Sequence, residues 1–211
     1  MNSNQNSEDL KHIRNMMERS TKFLSLSGFS GIAAGVIALA GAVIAYFVVF
    51  RQGTVKYDEH LRALGDVSTM RIRLQLAALA VSTLVSAVGA AWFFSLRKAK
   101  RAGTRLWTST ARRTLYHFLI PLITGGFFCI TLIMINNVHL IGSAMLIFYG
   151  LALINSGKFT VEEVHYLGLS EIALGILAGF FINYGLLFWA LGFGVMHIVY
   201  GIRMHYKYDR K

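Results

Sequence analysis

The chain has 211 residues, of which 55% belong to the hydrophobic set and 15% are charged, and its formal net charge is +11. The charged share is well below the roughly 25% of soluble domains, and the mean hydropathy is +0.53. This composition excludes an ordinary soluble domain. It indicates an all-α polytopic membrane protein, because a segment inside a bilayer must satisfy its own backbone groups as a helix.

Long apolar runs predict a bundle of six transmembrane helices. We divide the chain into a cytoplasmic N-terminal tail with an amphipathic juxtamembrane helix (1–22), a six-helix transmembrane domain (23–204) and a basic cytoplasmic tail (205–211). The predicted membrane helices cover residues 23–50, 73–95, 115–135, 139–155, 167–182 and 184–204.

The N-terminal tail contains an apolar seam. Leu10, Ile13 and Met17 recur at spacings of three and four between basic residues. The pattern predicts a helix that lies on anionic headgroups or extends the first membrane helix. A short dimerising coil, and with it a homo-oligomer, is the alternative.

Small residues share one face in several of the predicted helices. Gly31 and Gly35 form a small-xxx-small pattern in the first helix, and Ser82 and Ser86 form one in the second. Because small residues let helix backbones approach closely, we expect these two faces to pack on each other; an interface between copies of the chain is the alternative. The predicted packing residues are Gly31, Gly35, Ser82, Ser86, Gly175 and Gly179.

Basic residues gather at alternate helix ends. Sixteen of the 21 Lys and Arg lie in the two tails and the loops on their side, and five lie in or beside the external connector 51–70. Because cytoplasmic loops are enriched in Lys and Arg, both termini are predicted to be cytoplasmic, in a multi-pass protein of the cell's inner (plasma) membrane. Segment 97–113 has seven basic residues and no acidic one, which predicts contact with anionic lipid headgroups and not with nucleic acid.

The third predicted helix contains several distinctive side chains. Pro121 predicts a kink, because proline donates no backbone hydrogen bond. Cys129 is the single cysteine, so no intramolecular disulfide is expected and the side chain is interpreted as a small apolar one. His117 is a secondary site candidate, at a depth of about 28 Å from the outer end of the helix at 1.5 Å per residue.

The last two predicted helices carry the strongest site candidate. Glu171 is the only carboxylate inside a long hydrophobic run, and His197 lies on the following helix. Both residues lie roughly 18–20 Å from the outer ends of their helices at about 1.5 Å per residue. The same count predicts an intramembrane polar layer that comprises Ser86, Thr124, Tyr149, Glu171 and His197.

An ionisable group at this depth is costly unless it is paired or wetted. Two interpretations of the layer stay open. In the first, a hydrogen bond from Glu171 to His197 or to Tyr149 only ties helices together. In the second, the layer responds to protons or binds a small molecule.

Catalysis and cofactor binding are not expected. The chain has no GxSxG, P-loop or HExxH motif. His117 and His197 differ by about 8 Å in estimated depth, which disfavours a bis-His haem. In the external connector, Asp58, Glu59 and His60 are adjacent and do not share one helical face, so no metal site is predicted there.

Two segments resemble parts of small uncharacterised bacterial polytopic inner-membrane proteins. They are Ser25-Leu-Ser-Gly-Phe-Ser-Gly-Ile-Ala-Ala-Gly35 in the first helix and Leu-Gly-Leu-Ser-Glu171-Ile-Ala-Leu-Gly in the fifth. The resemblance extends over most of the chain and implies a helical membrane bundle. It brings no activity with it.

The residues therefore predict a protein that binds a small molecule or transports one with protons through the layer around Glu171 and His197. The alternative is a non-transporting membrane sensor or scaffold that presents its basic cytoplasmic segments to a partner.

Overall fold

Six long helices dominate the part of the chain that the structure describes. The computed structural model describes residues 27–49, 66–104 and 106–209, and it contains no strand in these ranges. The prediction of an all-α chain is thus confirmed for these residues. The amphipathic helix predicted in 1–22 and most of the connector 51–70 lie outside them.

The helices are α1 (Gly28–Val49), α2 (Asp66–Arg101), α3 (Ser109–Met134), α4 (Ile141–Gly157), α5 (Glu162–Phe180) and α6. Short 3-10 turns, Val138–Leu140 and Ile182–Tyr184, precede α4 and α6. α6 consists of four consecutive helical segments, Gly185–Trp189, a π-helical stretch Ala190–Met196, His197–Met204 and a second π-helical stretch His205–Asp209.

Several helices extend beyond the apolar runs that predicted them. α2 begins at Asp66 instead of residue 73, and α3 begins at Ser109 instead of residue 115. α6 continues through Asp209, into the segment predicted as a tail. An apolar run marks only the hydrocarbon part of a membrane helix, whereas the helix itself continues into the polar headgroup region.

Five of the described helices are long and apolar enough to cross a membrane: Gly28–Phe47, Met70–Arg101, Ser109–Met134, Val138–Gly157 and Ile182–Asp209. α5 is not among these five, and it contains three glutamates, which lower its hydropathy. The outer surface carries many large apolar side chains, including Val85 at 65% and Phe127 at 67% exposure. Apolar surface on this scale is compatible with a multi-pass membrane protein and not with a soluble one.

Glycines bring α1 against α6. A Cβ on Gly31 would lie 3.1 Å from the Gly201 Cα, and a Cβ on Gly35 would lie 2.6 Å from the Gly194 carbonyl oxygen. Because neither helix carries a side chain at these points, the two backbones approach closely. The small-residue face of α1 is therefore a packing face, as predicted, but its neighbour is α6.

The expected pairing of that face with Ser82 and Ser86 of α2 differs from the structure. α2 packs along α1 through Thr83, whose Oγ1 would lie 2.6 Å from a Cβ on Gly41. Ser82 and Ser86 are exposed, and the Ser82 hydroxyl donates to the Leu79 carbonyl oxygen of its own helix at 2.9 Å. Glycines on α6 permit a closer approach to α1 than the α2 serines would.

α4 and α5 form the second glycine-mediated pair. A Cβ on Gly150 would lie 2.6 Å from the Gly168 carbonyl oxygen, and a Cβ on Gly175 would lie 2.7 Å from Ile147 Cγ1. The Ser143 hydroxyl of α4 donates to the Gly175 carbonyl oxygen at 2.6 Å. The predicted packing role of Gly175 thus has a defined neighbour, and this pair fixes the rotation of α5.

The turn after α3 contacts α2 near its start. Asn136 has φ +63°, and the amides of Asn136 and Asn137 donate to the Ile133 and Leu132 carbonyl oxygens, which is a Schellman arrangement. The Asn136 side-chain oxygen accepts from an Arg73 amino group of α2 at 2.6 Å. α3 itself runs as one helix through Pro121.

We expect Gly201→Ala to destabilise the protein. Its Cβ would lie 2.6 Å from the Ile32 amide nitrogen and 2.8 Å from the Gly28 carbonyl oxygen, so α1 and α6 would have to separate. Overpacking of this kind costs about 1–3 kcal/mol, and the thermal unfolding midpoint in detergent should fall. Gly126→Ala is the matched control, since a Cβ there meets no described atom within 4 Å. A Gly201→Ala midpoint no lower than that of the control would contradict this packing.

Candidate functional site

One stripe of α5 faces the protein interior and carries two carboxylates. The buried residues of this helix recur at spacings of three and four, which is one helical face. They are Glu163, Val164, Leu167, Gly168, Glu171, Gly175 and Ala178. Glu171 is fully buried, at 0% exposure, in agreement with the inward direction that its place in the stripe requires.

A glycine on α6 makes room for the Glu171 carboxyl group. A Cβ on Gly192 would collide with Glu171 Oε2 and with Leu146 of α4. Gly192 lies in the π-helical stretch Ala190–Met196, and such wide turns occur frequently at functional sites. Neither Glu171 carboxyl oxygen has a hydrogen-bond partner among the described residues.

His197 is the basic group next to Glu171. Its Nδ1 lies 3.3 Å from Glu171 Oε1 and 3.0 Å from the Gly192 carbonyl oxygen. Because a carbonyl oxygen can only accept, Nδ1 carries a hydrogen in this arrangement, and that hydrogen is directed at the Gly192 carbonyl oxygen. The ring is 7% exposed, so water competes little for it.

Tyr149 occupies the other side of the His197 ring. Its hydroxyl oxygen lies 2.8 Å from His197 Nε2. Its half-buried ring packs against the rings of Phe118 and Phe193, with centroids 5.9 Å and 4.9 Å apart, respectively. The three side chains form a connected series, in which Tyr149 contacts His197 and His197 contacts Glu171. Three helices, α4, α5 and α6, thus meet at one buried group of ionisable side chains.

The structure brings together only part of the predicted polar layer. Tyr149, Glu171 and His197 meet, whereas Thr124 and Ser86 are exposed. The Thr124 hydroxyl donates to the Ile120 carbonyl oxygen of its own helix at 2.8 Å. The rise per residue along a helix predicts the depth that Tyr149, Glu171 and His197 share. It does not predict the direction in which a side chain points.

His117, the secondary candidate, lies apart from this group. Its backbone carbonyl oxygen accepts from Asn155 Nδ2 at 2.8 Å. Its ring stacks on Phe159, with centroids 5.0 Å apart. These contacts join α3 to the end of α4 and indicate a packing role. Within the described ranges, no three His, Cys, Asp or Glu side chains group closely enough to hold a metal ion.

A second carboxylate, Glu163, is fully paired. It is 1% exposed and accepts hydrogen bonds from Lys207 Nζ at 2.7 Å and from the Tyr208 hydroxyl at 2.8 Å. Arg203 Nε lies 3.8 Å away. These contacts attach the end of α6 to the first turn of α5.

Asp209 attaches the end of α6 to two further helices. Its Oδ2 accepts from the Gly28 amide at 2.8 Å and from the Ser27 hydroxyl at 3.2 Å, so it caps the N-terminus of α1. Its Oδ1 lies 2.8 Å from Lys98 Nζ of α2. The start of α1, the end of α2, the start of α5 and the end of α6 therefore meet on one side of the protein.

Sequence reasoning did not identify these paired groups. Residues 205–211 are predicted as a basic cytoplasmic tail, and Glu163 precedes the predicted helix 167–182. One signal was present, because Glu163, Leu167 and Glu171 are spaced by four and so share a helical face. No sequence pattern shows that Lys207, Tyr208 and Asp209 reach three different helices.

Comparison with protein families, with curated proteins and with solved structures finds no match to this chain. The chemistry of the group around Glu171 has to be inferred from its own geometry.

We expect acid to destabilise the protein through Glu163, which precedes the apolar part of α5. Burial by itself raises the pKa of the Glu163 carboxyl, but the hydrogen bonds from Lys207 and Tyr208 outweigh burial and hold that pKa below its ordinary value. The pair therefore stabilises the fold above the unfolded-state pKa of about 4.3, and this stabilisation is lost as the pH falls through the lower folded-state pKa.

Thermal unfolding midpoints measured from about pH 7 down to about pH 3 check this expectation. Glu163→Gln should lower the midpoint at neutral pH and reduce its further drop in acid. Glu162→Gln, at the exposed neighbouring position, should keep the wild-type profile. Superimposable profiles for Glu163→Gln and the wild type would show that the pair contributes nothing.

Proposed function

We propose that this chain is a polytopic membrane protein whose Glu171–His197–Tyr149 group binds and transfers a proton in proton-coupled binding or transport of a small molecule. The observation that supports the proposal best is the fully buried Glu171 carboxyl group, which has His197 as its neighbour and no hydrogen-bond partner among the described residues. A purely structural carboxylate at this depth would be expected to have its acceptors saturated.

Burial restricts the group to states without an isolated charge. An unpaired carboxylate in a low-dielectric interior is costly. Glu171 is therefore stable as a neutral acid beside neutral His197, or as a carboxylate beside the His197 imidazolium. The two states differ by the position of one proton, and a further proton can be gained or lost through the half-buried Tyr149.

The geometry supports a definite order of proton transfer. In the ion-paired state the His197 imidazolium donates its Nε2 hydrogen to the Tyr149 hydroxyl oxygen, which lies 2.8 Å away. The imidazolium then releases its Nδ1 proton to Glu171 Oε1 across the 3.3 Å separation. His197 ends neutral with its hydrogen on Nε2, and Nδ1 accepts a hydrogen bond from the new acid. Each atom in this series is within reach of the next.

We propose six membrane spans with both termini in the cytoplasm of a bacterial cell, in the inner membrane. The side where α1 begins and α6 ends carries exposed basic residues. They are Arg97, Lys100, Arg101, Arg112, Arg113 and Lys158. The positive-inside rule assigns such a side to the cytoplasm, where these side chains would contact anionic headgroups.

Infrared difference spectra of the purified protein between acidic and neutral pH test the proton site. The wild type should show a carboxylic-acid carbonyl band that responds to pH and disappears in Glu171→Gln, because the amide cannot take up a proton. Tyr149→Phe should keep the band but slow its response, since the phenol that connects His197 to water is gone.

Glu162→Gln is the control for this measurement, because it also removes one carboxyl group of α5, but an exposed one. Its spectrum should keep the pH-dependent band. In proteoliposomes, pH-dependent uptake or binding that Glu171→Gln leaves unchanged would refute the coupling.

A second function, a non-transporting sensor or scaffold, is favoured by the close packing around Glu171. The Glu171 carboxyl group and Leu146 both border the space that a Cβ on Gly192 would occupy, so protonation of Glu171 would act by changing helix packing. The basic side would then present the signal to a partner.

Deletion of residues 1–19 tests the sensor or scaffold. A co-purifying partner or a defined oligomer should be lost in the deletion variant, as seen by size-exclusion chromatography with light scattering, while the fold remains. Glu171→Gln is the comparison, since it leaves the basic segments intact. A deletion variant with the same partners and the same oligomeric state would count against this function.

A further inference from the structure

An apolar cluster separates the Glu171 group from the paired charges at the end of α6. Its buried members, here called the apolar plug, are Leu153, Val161, Val164, Leu167 and Met204. Tyr149 of the proton site packs against the plug, and so does Tyr208, which binds Glu163. The plug therefore touches the polar group on each of its two sides.

The spacing along the helices gives the same order. On α5, Leu167 lies midway between Glu171 and Glu163, which are eight residues and so about 12 Å apart. On α6, Met204 lies between His197 and Lys207. Both helices thus pass from the proton site through the plug to the paired charges.

The charges at the end of α6 hold the plug in place. We define the C-terminal clasp as Glu163 with Lys207 and Tyr208, and Asp209 with Lys98 and the Gly28 amide. Glu163 is 1% exposed, whereas the Lys207 side chain is 48% exposed. Water therefore reaches the ion pair from the lysine side only, and the charged acceptor strengthens both hydrogen bonds. A path past Met204 to the Glu171 group opens only if α6 moves away from α5. This movement breaks the hydrogen bonds of Glu163 to Lys207 and Tyr208.

We propose that the C-terminal clasp is a latch, and that its release opens the apolar plug and admits water and ligand to the Glu171–His197–Tyr149 group from this side of the protein. The arrangement described here is then the closed state. Entry of a ligand rests on the proposed function, whereas the latch and the plug rest only on the contacts above.

Cysteine accessibility in nanodiscs, where both faces of the protein are open to reagent, tests the latch. Val164→Cys in a Cys129→Ala background places the single thiol in the plug, and a water-soluble maleimide is the probe. Adding Glu163→Gln should raise the labelling rate at least about tenfold, the shift expected in an opening equilibrium when hydrogen bonds to a charged group are lost. Adding Glu162→Gln should leave it unchanged.

Two further variants distinguish a latch from general loosening. Tyr208→Phe deletes a single hydroxyl and should raise the rate by less than Glu163→Gln. In the double variant the two effects should be less than additive, since both changes weaken the same contact. A thiol at Ile182→Cys, near the opposite end of the protein, should label at the wild-type rate throughout.

Unchanged labelling of Val164→Cys in both Glu163→Gln and Tyr208→Phe would overturn the latch, and so would equal acceleration at Ile182→Cys. If Glu163→Gln lowers the unfolding midpoint below the assay temperature, the labelling rate of Val164→Cys in the Tyr208→Phe variant alone decides whether the latch exists. Glu171→Gln should label Val164→Cys at the wild-type rate, so a failed proton site and a failed latch give different results.

Discussion

The close approach of α5 and α6 at Gly192 is the constraint on which the Glu171–His197–Tyr149 group depends. The Glu171 carboxyl group occupies the space that a side chain at residue 192 would fill. The same glycine provides the carbonyl oxygen that positions the His197 ring. A site of this kind needs a helix with a glycine and a wide turn at the same point. The π-helical stretch Ala190–Met196, which contains Gly192, has both.

Two carboxylates on one stripe of α5 have opposite surroundings. Glu163 accepts two short hydrogen bonds, from Lys207 and Tyr208, and lies near a second cation, Arg203, so its charge is satisfied and it holds α5 and α6 together. Glu171 has one neighbouring ring nitrogen and no partner with hydrogen-bond geometry among the described residues. The first surroundings suit a contact that holds helices together, and the second suit a group that changes its protonation state.

The two glycine-mediated pairs explain how these surroundings are held. α1 packs on α6 and α4 packs on α5 with little side-chain volume between the backbones, so a small movement of α6 is transmitted directly to α1, and one of α5 directly to α4. The end of α6 then binds α1, α2 and α5 through Asp209 and Glu163. A change at His197 and a change at the clasp therefore act on the same rigid element.

The sequence by itself determined the class of fold and the level of the site. Long apolar runs require helices because a bilayer offers no partner for backbone groups, and a fixed rise per residue places Glu171, His197 and Tyr149 at a common depth. Gly31, Gly35 and Gly175 were identified as packing residues, because only small side chains permit close helix contact.

Only the tertiary structure decided which faces meet. Ser86 and Thr124 share the predicted depth but point outward, and Gly31 and Gly35 face α6 instead of α2. Lys207 lies 44 residues from Glu163 in the chain, and Gly28 lies 181 residues from Asp209. Helix periodicity fixes a rise and a rotation within one helix, but the rotation of one helix relative to another depends on how their surfaces pack, and no local pattern contains that information.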